Sequence, residues 1–163
     1  MLKQVSMKNR DINGLVNYFA YGSNMNPERM KKRGADFRSR EPLVLRGFTL
    51  AFNKISSGKP GAGAANIVPD EKGSVEGILY KITWRGIYKL DIFEGYPNEY
   101  ERKYLKVDRG MEGEELIVTY MARPDRVYDG LSPTREYMRH LLAAGPELSA
   151  SYYEGLKAIR TLD

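Results

Sequence analysis

Apolar and polar positions along the chain predict strands for the first two thirds and helices for the last third. Runs rich in aromatic and branched residues, bounded by turn residues, lie at 16–21, 43–52, 66–69, 75–82, 100–107 and 115–121. Regular alternation of strands with helices is absent. The pattern therefore predicts an α+β fold with a mostly antiparallel, barrel-like mixed β-sheet and flanking helices.

Four segments carry helical signals. A short helix is predicted after Asn26, the expected N-cap, with Gly34 as its stop. Residues 84–93 place Ile87, Leu90 and Asp91 on one stripe. We expect two more helices near the carboxyl end, one starting at 132–133 and one at about 151.

Length and composition indicate one ordinary domain. The chain has 163 residues, 42% of them hydrophobic, and a formal net charge of +5. We expect residues 1–16 to be a polar N-terminal extension and residues 17–163 to form a single domain. Charged residues interrupt every apolar run and no signal-peptide core follows the first residues, so we expect a cytoplasmic protein that does not enter a membrane.

The chain has no cysteine and one histidine, His140. Thiolate nucleophiles, disulfides, thiolate metal sites and metal sites with two histidines from one chain are thereby excluded. Acid–base chemistry must rest mainly on carboxylates. A basic cluster runs from Arg29 to Arg40, and its composition favours a solvated helix face over a nucleic-acid site, because no nucleic-acid motif accompanies it.

Glu94 is the carboxylate that the helical pattern singles out. It extends the stripe of Ile87 and Leu90 to the end of the predicted helix, so it faces the core or the wall of a cleft. Desolvation there raises a carboxyl pKa towards the range that a general base requires. The alternative is a helix-end glutamate paired with an arginine such as Arg102, and spacing alone favours that alternative.

The segment Tyr21 to Asn24 is a second candidate, because it closes a strand and precedes a helix. Gly22 allows close approach of a ligand to backbone N–H groups, although local pattern favours a plain turn. Ser23 as a nucleophile is a weaker hypothesis, since it would need His140 as its base and lacks the following glycine of a nucleophile elbow. Tyr137 lies on the apolar face of its helix, where core packing is the default interpretation.

Taken together, these segments resemble the γ-glutamylcyclotransferase-like family, in the order in which that family has them. The run YFAYGSNM at 18–25 matches its opening motif, and GAANI at 63–67 and VEGILY at 75–80 resemble the strands that follow. LDIFEG at 90–95 resembles the segment with the family's catalytic glutamate, and PTREY at 133–137 resembles a helix start whose tyrosine contacts substrate. The likeness extends to a closing helix at 152–156.

The resemblance implies the family's fold and an enzyme that cyclises a γ-glutamyl group to 5-oxoproline and releases the attached amino acid or amine. It places the catalytic general acid/base at Glu94, and it implies no metal and no cofactor. It also implies contacts with a small γ-glutamyl substrate at Tyr18, Phe19, Ala20, Tyr21, Gly22, Ser23 and Tyr137.

Two other functions stay open from the sequence. One is a catalytically silent member that binds a small ligand, and the other is a module that binds polyanions through the basic cluster. We expect neither a nucleic acid nor a membrane as partner. A homodimer stays open, as does the identity of the leaving amine.

Overall fold

The structure is a computed structural model that describes residues 11–163. Its strands and α-helices follow one another along the chain as β1 (Leu15–Ala20), α1 (Pro27–Lys32), β2 (Phe37–Ile55), β3 (Gly63–Thr83), α2 (Trp84–Glu94), β4 (Tyr100–Asp108), β5 (Glu114–Ala122), α3 (Arg135–Leu142) and α4 (Ala150–Lys157). Strands occupy the first part of the described chain and helices its end, which confirms the predicted α+β class.

The five strands form one mixed sheet in the order β2-β3-β1-β5-β4. β1 pairs with β5 in parallel, and the other neighbours are antiparallel. Since β2 and β4 stand at opposite ends of this order, the sheet is open and not a closed barrel. The expectation of flanking helices on a mostly antiparallel sheet is confirmed, and the barrel-like description is corrected to an open sheet.

β2 and β3 are longer than the sequence pattern predicts. Each is about twenty residues long and contains the shorter predicted runs, 43–52 in β2 and both 66–69 and 75–82 in β3. The register shifts between Arg46 and Phe48, where Gly47 adopts a φ of 88°. A glycine at this point allows the irregularity without strain, so two segments pair as one continuous hairpin.

Side-chain oxygens cap the N-termini of the α-helices. Asn26 accepts from the N–H of Glu28 and caps α1, as predicted. Thr83 caps α2, and Gly95 ends that helix in the left-handed region with a φ of 68°. Thr134 and Ser149 cap α3 and α4, so these helices begin within three residues of the predicted points.

The alternation of β1 divides the core into two clusters. Tyr18 and Ala20 belong to the larger cluster with α2 and α3, whereas Phe19 and Tyr21 belong to the smaller cluster that includes Leu45. Successive side chains of a strand point to opposite faces. β1 therefore carries apolar residues on both faces, as an interior strand covered on both sides does.

The predicted N-terminal extension falls partly outside the described residues. Nothing is stated of residues 1–10, and Leu15 already belongs to β1. Between them, the carbonyls of Ile12 and Gly14 accept the N–H groups of Arg85 and Trp84. The backbone at 12–14 thus satisfies two donors at the start of α2.

Candidate active site

A cleft of about 380 Å³ opens where the turn after β1, the end of α2, the β2–β3 hairpin and the start of α3 meet. The turn and the end of α2 supply Gly22, Ser23, Asn24 and Glu94, while α1 and β2 supply cations. Tyrosines make up much of the remaining wall: Tyr18, Tyr21, Tyr100, Tyr120 and Tyr137. Segments far apart in sequence therefore converge on one polar cleft.

Glu94 is the last residue of α2 and reaches the cleft from the buried side of that helix. Ile87, Leu90 and Asp91, which share its stripe, are buried. The Glu94 side chain is 16% exposed. Because Gly95 turns the chain away immediately afterwards, the carboxylate stands at the edge of the core and faces open space in the cleft.

Both polar contacts of Glu94 within the described residues fall on one carboxylate oxygen. Asn24 donates from Nδ2 to Glu94 Oε1 at 3.1 Å, and Arg33 Nη1 lies 3.5 Å from the same oxygen. Asn24 also donates to the Tyr18 hydroxyl at 2.9 Å and accepts from Arg33 at 3.0 Å. Asn24 thus organises this corner and leaves Oε2 facing the cleft.

Burial raises the pKa of the Glu94 carboxyl above its ordinary value. Arg33, Arg29 and Lys54 act against this rise, and so does the hydrogen bond from Asn24. The outcome is a carboxylate that stays close to charged partners and yet accepts a proton more readily than an exposed glutamate does.

The predicted alternative, a pair between Glu94 and Arg102, is not what the structure contains. Arg102 instead binds Asp91, through Nε at 3.1 Å and through a closer contact from Nη2. Tyr120 donates its hydroxyl to the same carboxylate at 2.7 Å. Arg102 is therefore bound to Asp91 in the interior of the protein. The arginine beside Glu94 is Arg33, which directly follows α1.

The turn after β1 is packed tightly at Gly22. A Cβ at this position would lie 3.0 Å from the Tyr137 hydroxyl oxygen and 3.1 Å from Ala65 Cβ. The Tyr137 hydroxyl accepts from the N–H of Ala65 at 3.0 Å. Burial raises the pKa of Tyr137 to about 12, although backbone hydrogen bonds from Ala65 and Ser23 act against the rise. The tyrosine is a neutral hydroxyl that holds the turn in place.

The structure brings most of the predicted site residues together. Tyr18, Tyr21, Gly22, Ser23 and Tyr137 line the same cleft as Glu94. Phe19 and Ala20 do not line it and lie in the two core clusters at 0% and 1% exposure. Their contribution is to hold the strand that presents the turn.

Sequence reasoning missed the cationic part of the site. Arg29 and Arg33 belong to the basic cluster that was expected to be a solvated face, yet both line the cleft, together with Lys54. Arg40 of the same cluster pairs with Glu147 and with the Tyr80 hydroxyl. The cluster is divided among α1, the residue that follows it and β2, so its cations meet different partners, a detail that composition does not reveal.

His140 lies outside the cleft and against a neighbouring cavity. Its Nδ1 is 3.0 Å from Asn26 Nδ2 and its Nε2 is 3.2 Å from Arg29 Nη1. Burial lowers the pKa of His140, and the nearby arginines lower it further. The ring is half-buried against α1, on a side of α3 that contacts polar groups.

Residues 11–163 contain neither a metal-binding cluster nor a membrane-spanning helix. No group of three or more acidic or histidine side chains there is arranged to hold a metal ion. None of the helices in this part of the chain has the length and apolar character needed to cross a bilayer.

The sequence profile of the family "Gamma-glutamyl cyclotransferase, AIG2-like" matches residues 18–139. That match begins within β1 and covers the turn with Gly22 and the helix that ends in Glu94. The chain belongs to this family.

Its relatives are similar in sequence and in fold. A solved structure named gamma-glutamyl cyclotransferase is 28% identical, with a TM-score of 0.76 over 92% of this chain and 90% of the other. An uncharacterized Homo sapiens protein is 29% identical, with a TM-score of 0.73 over 91% and 90%. YkqA of Bacillus subtilis (strain 168), which its name designates provisionally as a gamma-glutamylcyclotransferase, is 31% identical over 65% of this chain. The chain spans only 38% of YkqA.

Proposed function

We propose that this protein cyclises the γ-glutamyl group of a small substrate to 5-oxoproline and releases the amine that the group carried. The observation that supports this most directly is the Glu94 carboxylate, which lines the same cleft as Gly22 and Ser23 and whose contacts with Asn24 and Arg33 both fall on Oε1. Family membership supports the same chemistry.

Glu94 acts as the general acid and base in this proposal. The substrate's α-amine, with an ordinary pKa near about 8, is mostly an ammonium ion at neutral pH and must lose a proton before it can attack. Glu94 accepts that proton, and the amine then forms a bond with the γ-carbonyl carbon of the same molecule. Collapse of the tetrahedral intermediate breaks the original C–N bond as Glu94 returns the proton to the leaving nitrogen. The attacking nitrogen also gives up its second proton, which the released amine takes, so the products are 5-oxoproline and an ammonium ion.

The turn at 21–23 supplies orientation and charge stabilisation. Its backbone N–H groups can bind the substrate's α-carboxylate or the oxyanion that develops on the γ-carbonyl, and one such donor is worth about 3–4 kcal/mol in the transition state. Gly22 permits the close approach. Tyr18, Tyr21 and Tyr137 complete the wall around the γ-glutamyl group.

Tethering of the nucleophile supplies much of the remaining acceleration. Attacking amine and target carbonyl belong to one molecule, so the enzyme has only to hold the chain in its folded geometry. Each step transfers a proton or rearranges bonds within the substrate. The proposed reaction accordingly needs neither a metal nor a cofactor from the protein.

A panel of γ-glutamyl amino acids and γ-glutamyl amines tests the proposal, with formation of 5-oxoproline and release of free amine measured together. We expect the two products in equal amounts, with the same rate in protein treated with a chelator. Release of glutamate in place of 5-oxoproline would show hydrolysis and contradict cyclisation.

A binding measurement on the same panel distinguishes the cyclotransferase from a protein that binds the ligand without turnover. Ligand binding by calorimetry without any 5-oxoproline from any substrate would assign the cleft to binding alone. An activity that a chelator abolishes and a divalent ion restores would contradict the proton-transfer scheme.

A further inference from the structure

Arg29 is a cation at the cleft without a carboxylate partner among residues 11–163. Its Nη1 lies 3.2 Å from His140 Nε2, whereas its Nε is buried and has no hydrogen-bond partner. Burial lowers the pKa of Arg29, and the nearby charge of Arg33 lowers it further. A guanidinium remains charged under these conditions, so its free donors suit an anion.

The other two cations of the cleft already face carboxylates. Lys54 Nζ binds Glu99 at 2.8 Å, and Arg33 lies 3.5 Å from Glu94. Arg33 also packs over the Phe93 ring, with its guanidinium carbon 5.0 Å from the ring centroid. Arg29 is therefore the cleft cation with spare capacity.

Arg29 also borders a second cavity of about 420 Å³ next to the cleft. Arg33 and Phe93 line both spaces as well. The γ-glutamyl group must lie with its amine at Glu94, so the remainder of the substrate can extend along Phe93 towards this cavity. Arg29 borders both the cleft and this second cavity.

The charges of the cleft favour an anionic substrate. Within residues 11–163, its lining carries three cations, Arg29, Arg33 and Lys54, and two carboxylates, Glu94 and Glu99. A γ-glutamyl amine carries one ammonium and one carboxylate and is neutral overall. A γ-glutamyl amino acid has a second carboxylate on its leaving group and balances the excess cation.

We propose that Arg29 binds the carboxylate of the leaving group, and that through this contact the protein discriminates between γ-glutamyl compounds whose leaving group carries a carboxylate and those whose leaving group is neutral. This inference rests on the proposed cyclotransferase function. Arg29 is the specificity-determining residue, and the second cavity holds the side chain of the leaving amino acid.

Three matched substrates isolate that carboxylate: γ-glutamyl-alanine, γ-glutamyl-alaninamide and γ-glutamyl-ethylamine. The second replaces the charged group by a neutral isostere and the third removes it. We expect kcat/KM for γ-glutamyl-alanine to exceed both others by about 30-fold or more, in the range found when a desolvated charge pair loses one partner.

Arg29→Gln should remove this preference. We expect KM for γ-glutamyl-alanine to rise about 30-fold with kcat nearly unchanged, because the lost interaction exists in ground and transition states alike. At a pH above the acidic limb of both proteins, where Glu94 is ionised with or without the Arg29 charge, kcat/KM for the two neutral substrates should change by less than about threefold. Lys31→Gln is the control, since it removes the same charge from the same helix at an exposed residue that lines neither cavity.

Equal kcat/KM for the three substrates in the wild-type protein would overturn the inference. An equal loss for all three in Arg29→Gln would also overturn it and would place Arg29 at the γ-glutamyl end. In both cases 5-oxoproline still forms, so the proposed function survives. Binding of γ-glutamyl-alanine without 5-oxoproline from any of the three would instead refute the proposed function.

Discussion

Asp91 and Glu94 lie one helical turn apart on α2, and each carboxylate has an arginine beside it, yet their surroundings differ in kind. The two side chains are exposed to nearly the same extent, 12% and 16%. Asp91 has both oxygens engaged, by Arg102 and by the Tyr120 hydroxyl. Glu94 has both of its contacts on Oε1.

The difference lies in how fully the hydrogen-bonding capacity of each carboxylate is used, more than in burial, and this separates a structural carboxylate from one that has capacity left for a ligand. The Arg102 guanidinium is itself enclosed by aromatic rings, with the Tyr96 centroid 4.6 Å away. A carboxylate in that environment has no capacity for a substrate. Glu94 keeps an open oxygen and a raised pKa, which are the properties of a proton acceptor.

The largest expected effect is on catalysis at Glu94. Glu94→Gln keeps the size of the side chain and removes the proton acceptor, so we expect kcat to fall by about 10²-fold or more. Its melting temperature should not fall, and Glu112→Gln, at an exposed residue, should leave kcat unchanged. A Glu94→Gln variant with near-normal kcat would disprove the general-base assignment.

Asp91→Asn should lower the stability of the fold and have much less effect on kcat. Loss of that charge leaves Arg102 buried without its counter-ion, and breaking such a pair costs about 3–5 kcal/mol. At about 2–4 °C per kcal/mol for a chain of this size, the melting temperature should fall by roughly 6 °C or more. Turnover by the protein that remains folded should stay within about tenfold of wild type. Lost activity at unchanged stability would place Asp91 in the chemistry.

The pH dependence tests the raised pKa of Glu94. Glu94 must be ionised to accept a proton, so kcat/KM should decrease as the pH falls through a pKa above the ordinary glutamate value. Arg33→Gln removes the charge that opposes the rise most strongly, and it should move this acidic limb to higher pH. An acidic limb that moves to lower pH in Arg33→Gln, or that does not move, would contradict the electrostatic effect of Arg33 on Glu94.

The same pKa has a consequence for stability. Because the folded state raises the pKa, the folded protein binds the proton more tightly than the unfolded chain does, and stability declines as the pH rises through this interval. Glu94→Gln, which is neutral at every pH, should therefore melt above wild type at pH 8, and the difference should shrink towards pH 4. Thermal melts of both proteins across this range measure it.

The smallest effect is expected at Ser23. Its backbone has the proposed role, and Ser23→Ala leaves the backbone unchanged, so we expect less than about a tenfold loss in kcat/KM. Mass spectrometry of the wild-type protein during turnover should find no acyl adduct. An adduct on Ser23 would make this protein a hydrolase with a serine nucleophile.

Much of the fold follows from local pattern. The stripe of Ile87 and Leu90 predicts α2 because a helix repeats every 3.6 residues, and Asn26 predicts the start of α1 because its side chain caps the first turn. The length of β2 and β3 was not predictable in this way. β2 and β3 contain register shifts that interrupt the alternation of apolar and polar residues. Pairing with a partner strand keeps each strand continuous through these shifts, and the sequence of a single strand does not show this.

Some residues of the candidate site could likewise be predicted from the sequence, and others could not. Glu94, Gly22 and Tyr137 stand out in the sequence through position and motif. Arg29 and Arg33 carry no such signal, since a cation on a short helix looks the same in sequence whether it meets water or a cleft.

The sequence by itself determined which residue types are available for chemistry, where α2 ends and which side of α2 carries Glu94. Only the tertiary structure decided which arginine each carboxylate meets, because Arg102 lies at a similar separation along the chain from both, about ten residues after Asp91 and Glu94. β4 directs Arg102 into the interior beneath α2, and α1 packs with Arg33 towards the cleft. Ion pairs form between groups that folding brings within about 4 Å, and separation along the chain does not determine that distance.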